Sequence, residues 1–280
     1  MSRSAALLIP LVLAAVGVSP QEPPGSAVVA AFYQKTPENL DEQAPPLEEA
    51  LSAVRRLRTR VTYDLDGERV ESELEGTGFV IDFAGNRCVV SLAHVVGDDL
   101  QLLSANHPGG EASWRVRARL ISGRTMIDLP GGEVELQILA RDPASDLAFF
   151  RLPPGSEVPA LPFPAGDSDR LRVGDFVYLL GRLEGTDLHV RPGIVSSAHP
   201  TARVAALPGA REAFMISAPL AHGDSGSPVV AVRSGRYEIV GIAQGKYETA
   251  REAGWVVRIN AVLSALRAAL ASASTLPAPR

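Results

Sequence analysis

The sequence predicts an all-β fold, a sandwich or a barrel, in two comparable halves. Two observations carry this. From Thr59 onward the chain breaks into roughly a dozen short strand-like runs separated by Gly, Pro or Asp-rich turns. A Pro-rich gap at 153–164 then divides those runs into two sets. Composition agrees: 25 Gly and 22 Pro suit many turns, and 46% hydrophobic residues suffice for a sizeable core.

Taken in order, the chain opens with Arg3 and the apolar stretch Ala5–Val18, with Ala15, Val16 and Gly17 at a small-residue cleavage position. This pattern reads as a secretory signal over 1–19 and predicts an exported, periplasmic or secreted protein. The apolar run is short for a membrane span, and an uncleaved N-terminal anchor is the alternative. Residues 20–58 read as a Pro-rich linker followed by a short amphipathic helix, with Leu47, Leu51, Val54 and Leu57 at helical spacing. The first strand set spans 59–155. It includes RTRVTYDL, GTGFVIDF, RCVVSLAHVV, LQLLS, WRVRARLIS, VELQILA and LAFFRL. The second set spans 156–273. It includes DFVYLLG, LHVRPGIVSSA, AFMISA, SPVVAV, YEIVGIAQGKY and GWVVRI. A terminal helix follows, with Val262, Leu263, Leu266 and Leu270 on one face, and 274–280 is a tail.

Several function classes are disfavoured. The net charge of −5 provides no overall basic field, and no nucleic-acid partner is expected. No His/Cys/Asp cluster has ligand spacing, so neither a metal nor another cofactor is expected. The single cysteine, Cys88, lies in an apolar run and reads as a buried core residue. No stable membrane insertion is expected beyond the signal segment.

Gly-Asp-Ser occurs twice, in AGDSDR at 165–170 and in AHGDSGSPVV at 221–230. A nucleophilic serine needs a base, an orienting acid and donors for an oxyanion. Ser225 has Gly223 two residues before it and Gly226 after it, which permit a tight turn and close backbone approach. Ser168 is followed by Asp169 and Arg170, and a carboxylate there would oppose developing negative charge. Among the histidines, His107 and His199 sit in turn-like sequence and His189 in a strand. His222 is a near neighbour of Ser225, whereas His94 ends a buried strand from which it could face a cleft. Asp146 directly precedes LAFFRL, where partial burial suits an orienting acid. Asp98 and Asp99 crowd His94, and Asp128 stays open as an alternative acid. The G-x-S-x-G elbow of α/β-hydrolases is not met, since Ser227 takes the place of its second Gly.

His94, Asp146 and Ser225 follow one another in the His…Asp…Ser order of chymotrypsin-fold proteases. SLAHVV resembles their T-A-A-H segment, SDLAFFRL their D-[IL]-A-[LV] strand, HGDSGSPVV their G-[DN]-S-G-[GS]-P-[LV], and GTGFVI the strand before the histidine. AGDSDRLRVGDFVYLLG followed by RPGIVSSA resembles the HtrA (DegP-like) branch, where the second barrel begins at such a Gly-Asp-Ser. The resemblance covers roughly 76–260.

The resemblance implies two six-stranded antiparallel β-barrels with a C-terminal helix. It implies a serine endopeptidase acting on protein or peptide substrates through an acyl-enzyme. Ser225 would be the nucleophile, His94 the base and Asp146 its orienter, with the backbone N–H groups of Gly223 and Ser225 as oxyanion hole. It also implies a substrate pocket at Pro219, Ala243, Gln244 and Gly245, where Pro219 in place of an acid disfavours a basic P1 and points to small or medium apolar residues. Two departures stand out. HtrA proteases carry PDZ domains, for which residues 259–280 are too few. An I-V-G-G start is also lacking, which leaves Asp224 as a solvated or Arg-paired turn residue rather than the partner of a new N-terminus. A non-proteolytic binding module on the same fold is the alternative reading.

Overall fold

The computed structural model describes residues 33–34, 40–41, 44–103, 115–182, 188–246 and 253–274. The signal segment, His107 and the tail lie outside the described residues.

The helix expected over 46–57 is shorter than its periodicity suggested. α1 covers only Leu47–Leu51, and strand β1 already begins at Val54. Val54 and Leu57 are buried strand residues, and from Leu57 burial alternates through Thr59, Val61 and Tyr63. The β-branched Val and Thr residues that follow, and a twelve-residue pairing with the next strand, favour extension.

The first half is one antiparallel sheet of eight strands: β1 Val54–Leu65, β2 Glu68–Phe83, β3 Asn86–Ser91, β4 Leu100–Leu103, β5 Arg115–Leu129, β6 Gly132–Glu135, β7 Gln137–Asp142 and β8 Leu147–Arg151. Their order is β4-β5-β1-β2-β3-β8-β7, with β6 paired to the far end of β5. A six-stranded barrel was expected here. Among the described residues this sheet is instead an open half-barrel, because long β5 gives one end to β4 and the other to β6.

The second half matches the expectation. Strands β9 Phe176–Arg182, β10 Leu188–Ser197, β11 Ala213–Ile216, β12 Pro228–Arg233, β13 Arg236–Lys246 and β14 Gly254–Arg258 close a six-stranded antiparallel barrel in the order β10-β11-β14-β13-β12-β9. A short helix α2, Ala202–Ala205, lies between β10 and β11. The fold is thus all-β and chymotrypsin-like, with the C-terminal helix α3, Ile259–Ser274.

One apolar core joins the halves. Phe79, Val90, Phe149 and Phe150 of the first sheet share it with Val230 and Ile242 of the second barrel and with Val262 and Leu266 of α3. Cys88 is buried in β3, and burial pushes its thiol up from the ordinary value. The other Gly-Asp-Ser has a structural task. Ser168 is buried, and Asn260 Nδ2 donates to Asp167 Oδ1 (3.0 Å) and Asp169 Oδ2 (2.8 Å). Arg258 donates to the Ser168 carbonyl. This turn therefore fastens the start of α3.

Because α3 packs on β7 and β8 as well as β13 and β14, it ties the halves together. Leu266 is fully buried there. Leu266→Ala is expected to cost about 2–5 kcal/mol of unfolding free energy, read from the denaturation midpoint at unchanged m-value.

Candidate active site

β3 and β8 are neighbours, with Ser91 opposite Ala148. His94 lies just beyond the end of β3, in a 3₁₀ turn over Ala93–Val95, and Asp146 lies just before β8, so the pairing brings them to one place. His94 Nδ1 and Asp146 Oδ2 are 2.8 Å apart, and the His94 backbone N–H donates to Asp146 Oδ1 at 2.9 Å. Asp146 is buried and adopts φ 53°, a left-handed conformation that turns its carboxylate back over the His94 backbone. The His94 side chain is 41% exposed and faces the cleft. Of the other acids considered, Asp98 pairs with Arg141 and Asp128 lies in β5; neither lines the cleft.

Ser225 comes from the loop between β11 and β12, across that cleft. Its Oγ donates to the Gln244 carbonyl at 3.4 Å, rather than to His94. Gly223 and Gly226 both have φ 93°, which L side chains rarely adopt. A Cβ on Gly226 would collide with the Thr77 carbonyl. Within the loop, Asp224 N–H donates to Ala221 O and Ser227 N–H to Asp224 O. Among the described residues, no acceptor takes the N–H of Gly223 or Ser225.

Thr77 of β2 was visible only as part of a motif, and the structure gives it a task. It is fully buried. Its N–H donates to Ser225 O (2.8 Å), its Oγ1 donates to Gly223 O (2.6 Å), and its carbonyl accepts from Ser91 Oγ (2.7 Å).

The cleft holds about 1150 Å³ and includes His94, Val95, Pro219, Leu220, His222, Gly223, Ser225, Gly245 and Lys246. Of the pocket residues expected, Pro219 and Gly245 line it. Ala243 and the Gln244 side chain lie behind it, while the Gln244 carbonyl meets Ser225 Oγ. Ala243 is fully buried, its backbone paired with Ser227 and Gly226. Alternation along β13 turns the Gln244 side chain behind the histidine, where Nε2 donates to Asp146 Oδ2 and to Pro208 O, both at 2.7 Å. Leu220 also lines the cleft. Its side chain fills the space that a Cβ on Gly254 would need.

Asp224 is fully buried, and Arg191 of β10 pairs with it while also donating to Pro219 O (2.9 Å). Burial pushes the Asp224 carboxyl up from its ordinary value, and Arg191 and the Ala221 N–H pull it back. Arg191→Met would leave a buried carboxylate unpaired, with an expected loss of about 3–5 kcal/mol in chemical denaturation. Asp224→Asn added to Arg191→Met is expected to recover part of that loss, since it removes the stranded charge.

Residues 76–242 match the trypsin-like peptidase domain family. Curated relatives include a Synechocystis protein named as a serine protease, HhoA, at 30% identity over 207 residues, which covers 73% of this chain and 45% of that one. The mitochondrial serine protease HTRA2 of Bos taurus is 32% identical over 168 residues, covering 60% of this chain and 30% of that one. The chain thus spans less than half the length of these relatives. Among solved structures, the HtrA-type protease AlgW with a decapeptide aligns at TM-score 0.56 and 18% identity, covering 80% of this chain and 66% of that one. An inactive Ser-to-Ala mutant of Rv3671c from M. tuberculosis aligns at TM-score 0.53 and 20% identity, covering 89% and 98%. The fold is shared with these structures, and the chain belongs to the trypsin-like peptidase family, with HtrA-type proteases among its relatives.

Proposed function

We propose that this chain is an exported serine endopeptidase. One observation carries the reading: the buried Asp146 holds His94 by two hydrogen bonds at the edge of a cleft that also contains Ser225 and two backbone N–H groups without acceptors. In this reading Ser225 Oγ attacks a peptide carbonyl while His94 Nε2 takes its proton. The oxyanion receives the N–H groups of Gly223 and Ser225. Each such donor is worth about 2.7–4 kcal/mol of barrier in comparable sites. Collapse of the tetrahedral adduct breaks the C–N bond, and the amine leaves with the proton from His94. Water repeats the sequence on the acyl-enzyme and restores Ser225. Asp146 keeps Nδ1 protonated and stabilises the imidazolium. Ser225 Oγ must leave the Gln244 carbonyl for His94 in this reading, and such bonds are often loose before substrate binds.

The acyl-side pocket supports small apolar P1 residues. Pro219 supplies no charge, and Leu220 over Gly254 makes the slot shallow. Export rests on Arg3 and the apolar run Ala5–Val18.

Wild type is expected to label with a fluorophosphonate, and Ser225→Ala and His94→Ala are not. Equal labelling of all three would end the activated-serine reading. Asp146→Asn is expected to lower kcat by roughly 10⁴-fold. Absence of protein or peptide cleavage by a labelling-competent enzyme would favour a non-peptide substrate. For the pocket, cleavage after Ala or Val should exceed cleavage after Phe or Lys. Leu220→Ala should raise kcat/KM for Phe by about 10–200-fold. Preferred cleavage after Lys would contradict the pocket assignment.

A further inference from the structure

The walls of the cleft carry opposite charge. Its carboxylates, Glu73 and Glu75, both come from β2. Its lysine, Lys246, comes from the second barrel, at the end of β13. Glu75 is engaged by Arg56 at 2.5 Å. Glu73 is much freer: its nearest cation, Arg60, is 3.7 Å away and largely in solvent, and the Glu73 side chain is itself 48% exposed.

The chemistry at Ser225 decides which part of a peptide meets which wall. His94 hands its proton to the departing amine, so the amine half leaves Ser225 on the His94–Val95 side. There Gly76 abuts Val95, and β2 runs outward through Glu75 and Glu73. The acyl half crosses Pro219, Leu220, Gly245 and Lys246 instead.

β2 can also hold a peptide by its backbone. Thr77 turns its N–H and C=O away from β1, towards Ser225 and Ser91. Strand alternation turns the N–H and C=O of Glu75 and Glu73 to the same side. β2 pairs with β3 only from Phe79 onward, so this edge is open at Glu73 and Glu75 among the described residues. An extended segment can add there as a further strand.

We infer that the cleft selects peptides by the direction of their charge, with acidic residues on the acyl side of the scissile bond read by Lys246 and basic residues on the amine side read by Glu73. This rests on the endopeptidase reading and names its substrate class.

The test uses the full chain and three quenched fluorescent peptides with one small apolar scissile pair. One is acidic before the bond and basic after it, one is the mirror arrangement, and one is neutral. The first is expected to exceed its mirror about tenfold in kcat/KM at low salt, with the ratio shrinking towards one by about 0.5 M NaCl. Glu73→Gln should flatten the amine-side preference and Glu73→Lys reverse it. Lys246→Glu should reverse the acyl-side preference. Equal rates for the two charged peptides, or a ratio unmoved by these variants, would overturn the inference while cleavage of the neutral peptide upholds the peptidase reading. If none of the three is cleaved, both fall.

Discussion

The arrangement depends on one buried threonine that joins the two halves of the molecule. Thr77 belongs to the first sheet, yet two of its groups bind the loop that carries Ser225, and its carbonyl is held by Ser91, three residues before His94. The nucleophile and the histidine come from different sheets, and only contacts across the seam can fix the distance between them. A burial-only interface would allow sliding, because apolar contact has little direction. Hydrogen bonds in a water-free seam have direction, and leaving one unmade costs about 1–3 kcal/mol. Gly226 is part of the same constraint, since any side chain there would meet the Thr77 carbonyl.

Asp146 is held from three directions. The His94 ring and backbone take both carboxylate oxygens, and Gln244 approaches Oδ2 from the second barrel. Gln244 also reaches the Pro208 carbonyl, and Gly209 N–H donates to Ala144 O. The acid of the first half is thus clasped by a loop of the second. With its carboxylate so anchored, the histidine ring has a fixed tautomer and plane while its outer nitrogen stays in the cleft.

Much of this was legible in the sequence because it is local. Strand runs, turn glycines, the terminal helical face and the environments of the two Gly-Asp-Ser copies are all written within a few residues. What was not legible lies in side-chain pairings between distant segments. Arg191 and Asp224 are separated by 33 residues, and nothing in RPGIVSS indicates that its arginine points at the nucleophile loop. The resemblance assigned Gln244 to the pocket together with Ala243 and Gly245. Strand alternation places it on the opposite side, and the choice of side depends on a register shift between Ala243 and Gly245. α1 ended early for a related reason: its helical apolar spacing is local, whereas the partner strand β2 that extends Val54 and Leu57 lies further along the chain.

Asp224 now has a defined electrostatic position. It lies between the two residues whose N–H groups would receive an oxyanion, and it is fully buried. An unpaired carboxylate there would work against negative charge developing beside Ser225, because a low-dielectric surround screens it weakly. Arg191 offsets that charge from within the chain and at the same time holds the Pro219 carbonyl. The pocket wall and the oxyanion donors are therefore fastened to a single guanidinium. A substrate side chain that displaces Pro219 strains the same group that keeps Asp224 neutralised, so a fit in the pocket and stabilisation of the oxyanion rise and fall together.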